Sequence, residues 1–178
     1  FNDRAAQVIL RMLAANGAAK AIVGAGALLS TPAASHLIRL RGTDGGFVLS
    51  ASHNPGGPEA DFGLKFNTPN GGPAPEAVTD RIFEATKTIK EYRILVASDV
   101  DLSTPGHRSL GDMGVEVVDP VADYAALMER LFDFDAIRRL FASGFAMRFD
   151  AMHAVTGPYA KAILEGRLGA APGTVVNA

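Results

Sequence analysis

Two short apolar runs on either side of a helix signal constrain this chain most. The runs AAKAIVGAG (18–26) and GGFVLSAS (45–52) are short enough to read as buried strands. Between them, Thr31-Pro32 is a cap followed by proline at the first helical position, opening a helix to about Arg39. The order strand, helix, strand predicts parallel pairing of the two runs through a right-handed crossover.

The rest of the chain continues in the same style. Asn2 or Asp3 caps a first helix with Ala5, Val8, Ile9, Met12 and Leu13 on one face, ending near Gly17. FGLKFN (62–67) reads as a strand, and a helix follows over about Glu76 to Lys87. Residues 93–114 are irregular and polar, which suggests an interdomain linker. VEVVDP (115–120) is then a strand, and residues 122–141 form two helical pieces with Tyr124, Leu127, Met128 and Leu131 on one face. FAMRFDAM (145–152) alternates Phe145, Met147 and Phe149 as a strand, TGPYAKAILEGRLG (156–169) is a helix with a glycine stop, and GTVVN starts another strand. The expected fold class is α/β: two consecutive α/β units, residues 1–112 and 113–178, with mixed, mainly parallel sheets flanked by helices. The chain opens without Met and closes as a strand begins, so both units are expected to be truncated parts of a longer protein.

Composition removes several function classes. The net charge of −2 offers no basic field for nucleic acid or anionic membrane, and no apolar run is long enough to cross a bilayer. With no cysteine there is no disulfide or thiolate metal site, which fits a reducing, cytoplasmic setting.

The chemistry concentrates in LSASHNPGG (49–57). Ser52 follows the end of an apolar strand, where open α/β sheets place their ligands. Pro55 drives Asn54 into an extended conformation, and Gly56-Gly57 suit positive φ, so the loop can aim backbone amides at an anion. No Gly-x-Ser-x-Gly elbow is present and no nearby carboxylate orients His53 as a base. Amides with His53 and Lys65 suit phosphate better than an acyl oxyanion, and Ser52 would carry the phosphate itself. Plainer readings stand beside these: His53 pinning the loop, Lys65 as an exposed strand lysine, and Asp150 with His153 in DAMH as strand-end residues rather than metal ligands. His36 and His107 carry no signal.

SASHNPGGPEADFGLKFN (50–67) closely resembles the phosphoserine loop of the α-D-phosphohexomutases. LLSTPAASHLIR (28–39), the stretch from VEVVDP to RRLF and DAMHAVTGPYAKAIL (150–164) are similar to the phosphoglucomutase branch of that family. The departures are Ala60 and Ala154, where the family usually has glycine. The resemblance implies an isomerase that interconverts glucose 1-phosphate and glucose 6-phosphate through a phosphoserine, with glucose 1,6-bisphosphate as intermediate. It implies Ser52 as phosphoryl carrier, His53 and Lys65 beside it in catalysis, and Asn54, Gly56 and Gly57 as loop-positioning residues. A Mg²⁺ ion would bind through the phosphate on Ser52, its aspartate ligands lying outside these residues. The sugar-selecting loop and the distal phosphate site would also lie elsewhere, leaving the fragment inactive by itself. The implied partner is a hexose phosphate, with no obligate protein partner. Another phosphohexomutase, acting on mannose or glucosamine phosphates, or a silent family member serving as a binding protein, are the alternatives.

Overall fold

The computed structural model describes residues 1–57 and 59–178. In chain order the elements are helix α1 (Asn2–Ala15), strand β1 (Lys20–Gly24), helix α2 (Thr31–Arg41), strands β2 (Gly46–Leu49) and β3 (Leu64–Asn67), and helix α3 (Glu76–Thr88). Strands β4 (Gly106–Leu110) and β5 (Met113–Val118) follow, then helices α4 (Ala122–Leu131) and α5 (Phe134–Ala142), and strand β6 (Phe149–Asp150). Helix α6 (Thr156–Ala160) runs on into a π-helical segment, Lys161–Arg167, before strand β7 (Val175–Val176). The class is mixed α/β. The chain divides into two compact units, residues 1–27 with 34–119, and residues 28–33 with 120–178.

The first unit is organised by β5. It pairs in parallel with β1, from Lys20↔Gly114 to Gly24↔Val118, and antiparallel with β4, from Gly106↔Val117 to Leu110↔Met113. Its period of two sends Met113, Val115 and Val117 into the core, where all three are essentially inaccessible. Burying each such side chain stabilises by roughly 1.5–3 kcal/mol. Gly111, with φ of 59°, sits first in the two-residue turn between β4 and β5, where a primed hairpin turn needs positive φ.

Three expectations are corrected here. The two apolar runs do not pair: β1 takes β5, while β2 pairs antiparallel with β3 in a separate ribbon. The order of elements was compatible with a crossover, but β1 finds its partner almost a hundred residues further on, and no local pattern encodes that choice. Residues 93–114 are not a linker either. Val100, Leu102 and Leu110 are core residues, and α1 stitches the segment in place. Gln7 Nε2 donates to Val100 O (2.8 Å) and Val100 N donates to Gln7 Oε1 (2.9 Å), so one side-chain amide acts as a strand partner. Arg11 Nη1 donates to Ala97 O, and Gly26 N donates to Leu102 O. This explains the third difference: the buried stripe of α1 is Ala6, Gln7 and Leu10, with Leu13 and Ala14 packed beside it, rotated from the apolar stripe of the sequence. Removing the Gln7 amide would strand two buried backbone groups, each at a cost of about 1–3 kcal/mol.

In the second unit β6 and β7 pair in parallel and α4, α5 and α6 surround them in sequence. Tyr124 meets Tyr159 edge to face, with ring centroids 5.5 Å apart, and Tyr159 Oη accepts a hydrogen bond from Ser30 N (2.9 Å). Ala125 is the fully buried residue of α4, while Leu131, expected on the apolar face, is exposed. The strand expected over 145–152 shortens to Phe149–Asp150, with Phe145 and Met147 exposed. The helix expected to open on a Thr31 cap is capped one residue earlier: Ser30 Oγ accepts from Ala33 N at 3.3 Å.

On the face of β5 away from the core, Glu116 bonds Lys20 (2.5 Å) and lies 3.5 Å from Arg41. The hydrogen bond from Lys20, and then the charges around it, hold the Glu116 carboxyl below its ordinary value. Because the native value is depressed, this contribution to stability is present above the ordinary glutamate value and is lost as pH falls through the native one. A carboxyl NMR titration should show Glu116 titrating below a free glutamate, and Lys20→Met should move that midpoint upward.

Candidate active site

The ribbon β2–β3 builds the site. Phe47↔Phe66 and Leu49↔Leu64 share one face, with the phenyl centroids 5.7 Å apart, and Val48↔Lys65 and Gly46↔Asn67 share the other. Val48 and Asn67 are buried, and Ile38 of α2 packs so closely on Gly46 that a Cβ there would meet its Cδ1 at 2.9 Å. The ladder closes with Ser50 N donating to Gly63 O at 2.9 Å. A Cβ on residue 63 would stand 2.5 Å from Ser50 O, so only glycine permits this approach.

Beyond that pinch the chain turns sharply. Asn54 N donates to Ala51 O (3.1 Å), and Ser52, second in the turn, has φ of 60°. A left-handed conformation costs a non-glycine residue about 1–3 kcal/mol and persists only where neighbours impose it. Ser50 Oγ supplies one constraint, accepting from Ser52 N at 2.9 Å. Ser52 and His53 are both exposed, and Ser52 Oγ lies 3.3 Å from His53 Nδ1, the donor being set by the ring's tautomer. Among the described residues no carboxylate stands behind the imidazole, so there is no Ser-His-Asp relay.

The remaining expected residues fall as follows. Gly57 has positive φ (148°), but Gly56 does not; Ser52 takes the left-handed position instead. The amides of Ser52 and Asn54 are already bonded to Ser50 Oγ and Ala51 O. Lys65 is exposed on β3 opposite Val48, and among the described residues its side chain makes no hydrogen bond or ion pair. Its ammonium thus stays on the same ribbon as Ser52, without touching it. Two residues that the motif reading passed over shape the loop: Ser50, through the bond just described, and Asp61, whose Oδ2 accepts from Asn54 Nδ2 at 2.6 Å. The signal for Asp61 was an acidic residue at the far side of a Pro-Gly-Gly turn from an asparagine.

Asp150 is engaged in hydrogen bonds at the end of β6. Asp150 Oδ1 accepts from Asn177 Nδ2 and Met152 N, both at 2.9 Å, and the first of these chiefly holds the carboxyl below its ordinary value. The carboxylate thereby ends β6 in a turn whose Met152 and His153 both have positive φ. Among the described residues no three His, Cys, Asp or Glu side chains come together as a cation would require.

The model of the phosphoglucomutase/phosphomannomutase α/β/α domain I matches residues 1–93, more than half of the 178-residue chain. The chain belongs to the phosphoglucomutase/phosphomannomutase family. It is 56% identical to the phosphoglucomutase of Rhizobium radiobacter over 178 residues, which is all of this chain and 33% of that protein. It is 52% identical to the chloroplastic phosphoglucomutase of Arabidopsis thaliana, over 99% of this chain and 29% of the relative. Among solved structures it resembles the exocytosis-sensitive phosphoprotein pp63/parafusin of Paramecium, a phosphoglucomutase in its open form, with a TM-score of 0.94 and 43% identity over 99% of this chain and 34% of that one. The chain thus spans about a third of the length of the relatives it matches. Among the described residues no helix is long and apolar enough to cross a membrane.

The Gly63 contact yields a direct test. Gly63→Ala should push the ribbon apart at Ser50, at a cost of about 1–3 kcal/mol. Hydrogen exchange on the full-length protein should show faster exchange of the Ser50 amide in the variant.

Proposed function

We propose that this chain carries the phosphoryl-transfer serine of a phosphoglucomutase, the enzyme that interconverts glucose 1-phosphate and glucose 6-phosphate. The observation that carries the reading is Ser52 itself: an exposed hydroxyl in a strained left-handed turn, 3.3 Å from His53 Nδ1. Strain of this kind at an exposed polar residue suits a group that must reach a substrate. The names of the relatives at 56% and 52% identity favour glucose over mannose or glucosamine phosphates.

In this mechanism Ser52 rests as the phosphoserine. The free hydroxyl of the bound glucose phosphate attacks phosphorus, the Oγ–P bond breaks as the new O–P bond forms, and the hydroxyl proton leaves to a neighbouring base. The resulting glucose 1,6-bisphosphate turns over, and its other phosphoryl group returns to Ser52 Oγ. His53 hydrogen-bonds near the phosphoryl group, and Asn54, Gly56 and Gly57 hold the loop. Lys65, uncommitted on the same ribbon, offsets negative charge as the phosphoryl group moves. A Mg²⁺ ion would supply further charge neutralisation. It would be held through the phosphate once Ser52 carries one; among the described residues no cluster of carboxylates gathers around it. Residues 1–178 supply the carrier rather than a complete site and are proposed to be inactive alone. The proposed setting is cytoplasmic, in keeping with the absence of cysteine.

Ser52→Ala should abolish mutase activity in the full-length protein without unfolding it, since an exposed hydroxyl contributes little packing. Intact-mass spectrometry after incubation with glucose 1,6-bisphosphate and Mg²⁺ should find one added phosphate, mapped to Ser52 and discharged by glucose 6-phosphate. Phosphate on another residue, or an active alanine variant, counts against the assignment.

Lys65→Met should lower turnover by about 10²–10³-fold, the scale for losing one preorganised electrostatic contact to a transition state. The melting temperature should stay near that of the parent. Equal losses of stability and activity would return Lys65 to the role of an ordinary strand lysine.

A further inference from the structure

We propose that Asp61 is the positioning residue of the serine loop, setting the Ser52 turn through Asn54 before any phosphate arrives. The inference rests on the reading of Ser52 as phosphoryl carrier and adds a residue to that site.

The ribbon's ladder ends at Ser50 and Gly63, and residues 51–57 and 59–62 belong to an excursion beyond it. Closing such an excursion with backbone bonds alone leaves its tip free to sample many conformations. Asp61 crosses it at a second level. Its carboxylate Oδ2 accepts from Asn54 Nδ2 at 2.6 Å, its amide donates to Pro55 O at 3.0 Å, and it forms a β-bridge with Gly56. Among the described residues, the Asn54–Asp61 bond is the side-chain bond that joins the two limbs of the excursion. Asn54 closes the Ser52 turn through its own amide, so Asp61 grips the residue on which the left-handed φ of Ser52 depends. Asp61 also stands three residues before Leu64, where β3 begins and carries Lys65. One carboxylate therefore ties the turn of Ser52 to the strand of Lys65.

Charge and geometry pull in opposite directions here, and this makes the role testable. A carboxylate near a phosphoserine repels a dianion, so its charge alone is a disadvantage to the loop. What Asp61 contributes is the acceptor oxygen. Asparagine keeps that oxygen and removes the charge, at the expense of a weaker bond. Alanine removes both.

The experiment follows the rate at which the full-length protein takes phosphate onto Ser52 from glucose 1,6-bisphosphate, in Asp61→Ala, Asp61→Asn, Asn54→Ala and the double alanine variant. Alanine at 61 should slow phosphorylation on the order of 10²-fold, the penalty for a reacting group displaced by about an ångström. The melting temperature should hardly change. Asparagine at 61 should recover most of that loss, and the double variant should be no slower than the worse single one, because the two residues act as a unit. Wild-type rates in Asp61→Ala, an asparagine variant as slow as alanine, or additive losses in the double variant would each overturn the proposal. Hydrogen exchange over residues 50–63 separates this idea from the function it rests on. If Ser52 takes no phosphate even in the parent protein, the carrier reading fails. Faster loop exchange in Asp61→Ala would still support the positioning role, and unchanged exchange would refute it.

Discussion

No side chain fits between residue 63 and the carbonyl oxygen of Ser50, and the whole serine loop is launched from that contact. Where Gly63 lets the two strands approach, Ser50 N reaches Gly63 O and the ladder ends in register. With both limbs fixed there, the chain must reverse within a few residues. It does so by placing Ser52, rather than a glycine, in the left-handed region. Ser50 thus has two tasks: its amide closes the ribbon, and its hydroxyl accepts the amide of Ser52. A glycine at position 52 would adopt the turn more easily but would carry no hydroxyl. The strain is the consequence of putting a side chain where geometry asks for glycine.

The ribbon needs a support of its own, since an isolated two-stranded hairpin is marginal in water. One face supplies it: Val48 and Asn67 are buried, and Ile38 of α2 packs on Gly46. Asn67 is satisfied locally, donating from Nδ2 to Gly71 O at 2.9 Å. The opposite face carries Phe47, Leu49, Leu64 and Phe66, with Phe47 and Leu64 among the exposed large hydrophobic residues. Elsewhere in the same unit, β5 is held by hydrophobic burial on one face and by Lys20, Glu116 and Arg41 on the other. Burial supplies most of the stabilisation. Exposed ion pairs add little each.

The sequence by itself determined the class of the fold and marked one stretch as the candidate site. Ser52, His53, Asn54 and Lys65 stood out as candidates because they lie within fourteen positions of one another, in a pattern of strand, turn and strand that local rules describe. Most helices were legible for the same reason: Glu76–Thr88 and Thr31–Arg41 follow from periodicity and caps within one or two residues. The tertiary structure decided everything that depended on distant partners. Only the fold could choose β5 over β2 as the neighbour of β1, because strand pairing is non-local and several apolar runs were equally eligible. Only the fold could turn the polar residues 93–105 into part of a core, since their backbone groups are satisfied by Gln7 and Arg11 some ninety positions away. The left-handed Ser52 was likewise beyond local rules, which assign such positions to glycine. A conformation disfavoured in isolation survives here because Ser50, Ala51 and Asn54 hold it, and Asp61 in turn holds Asn54.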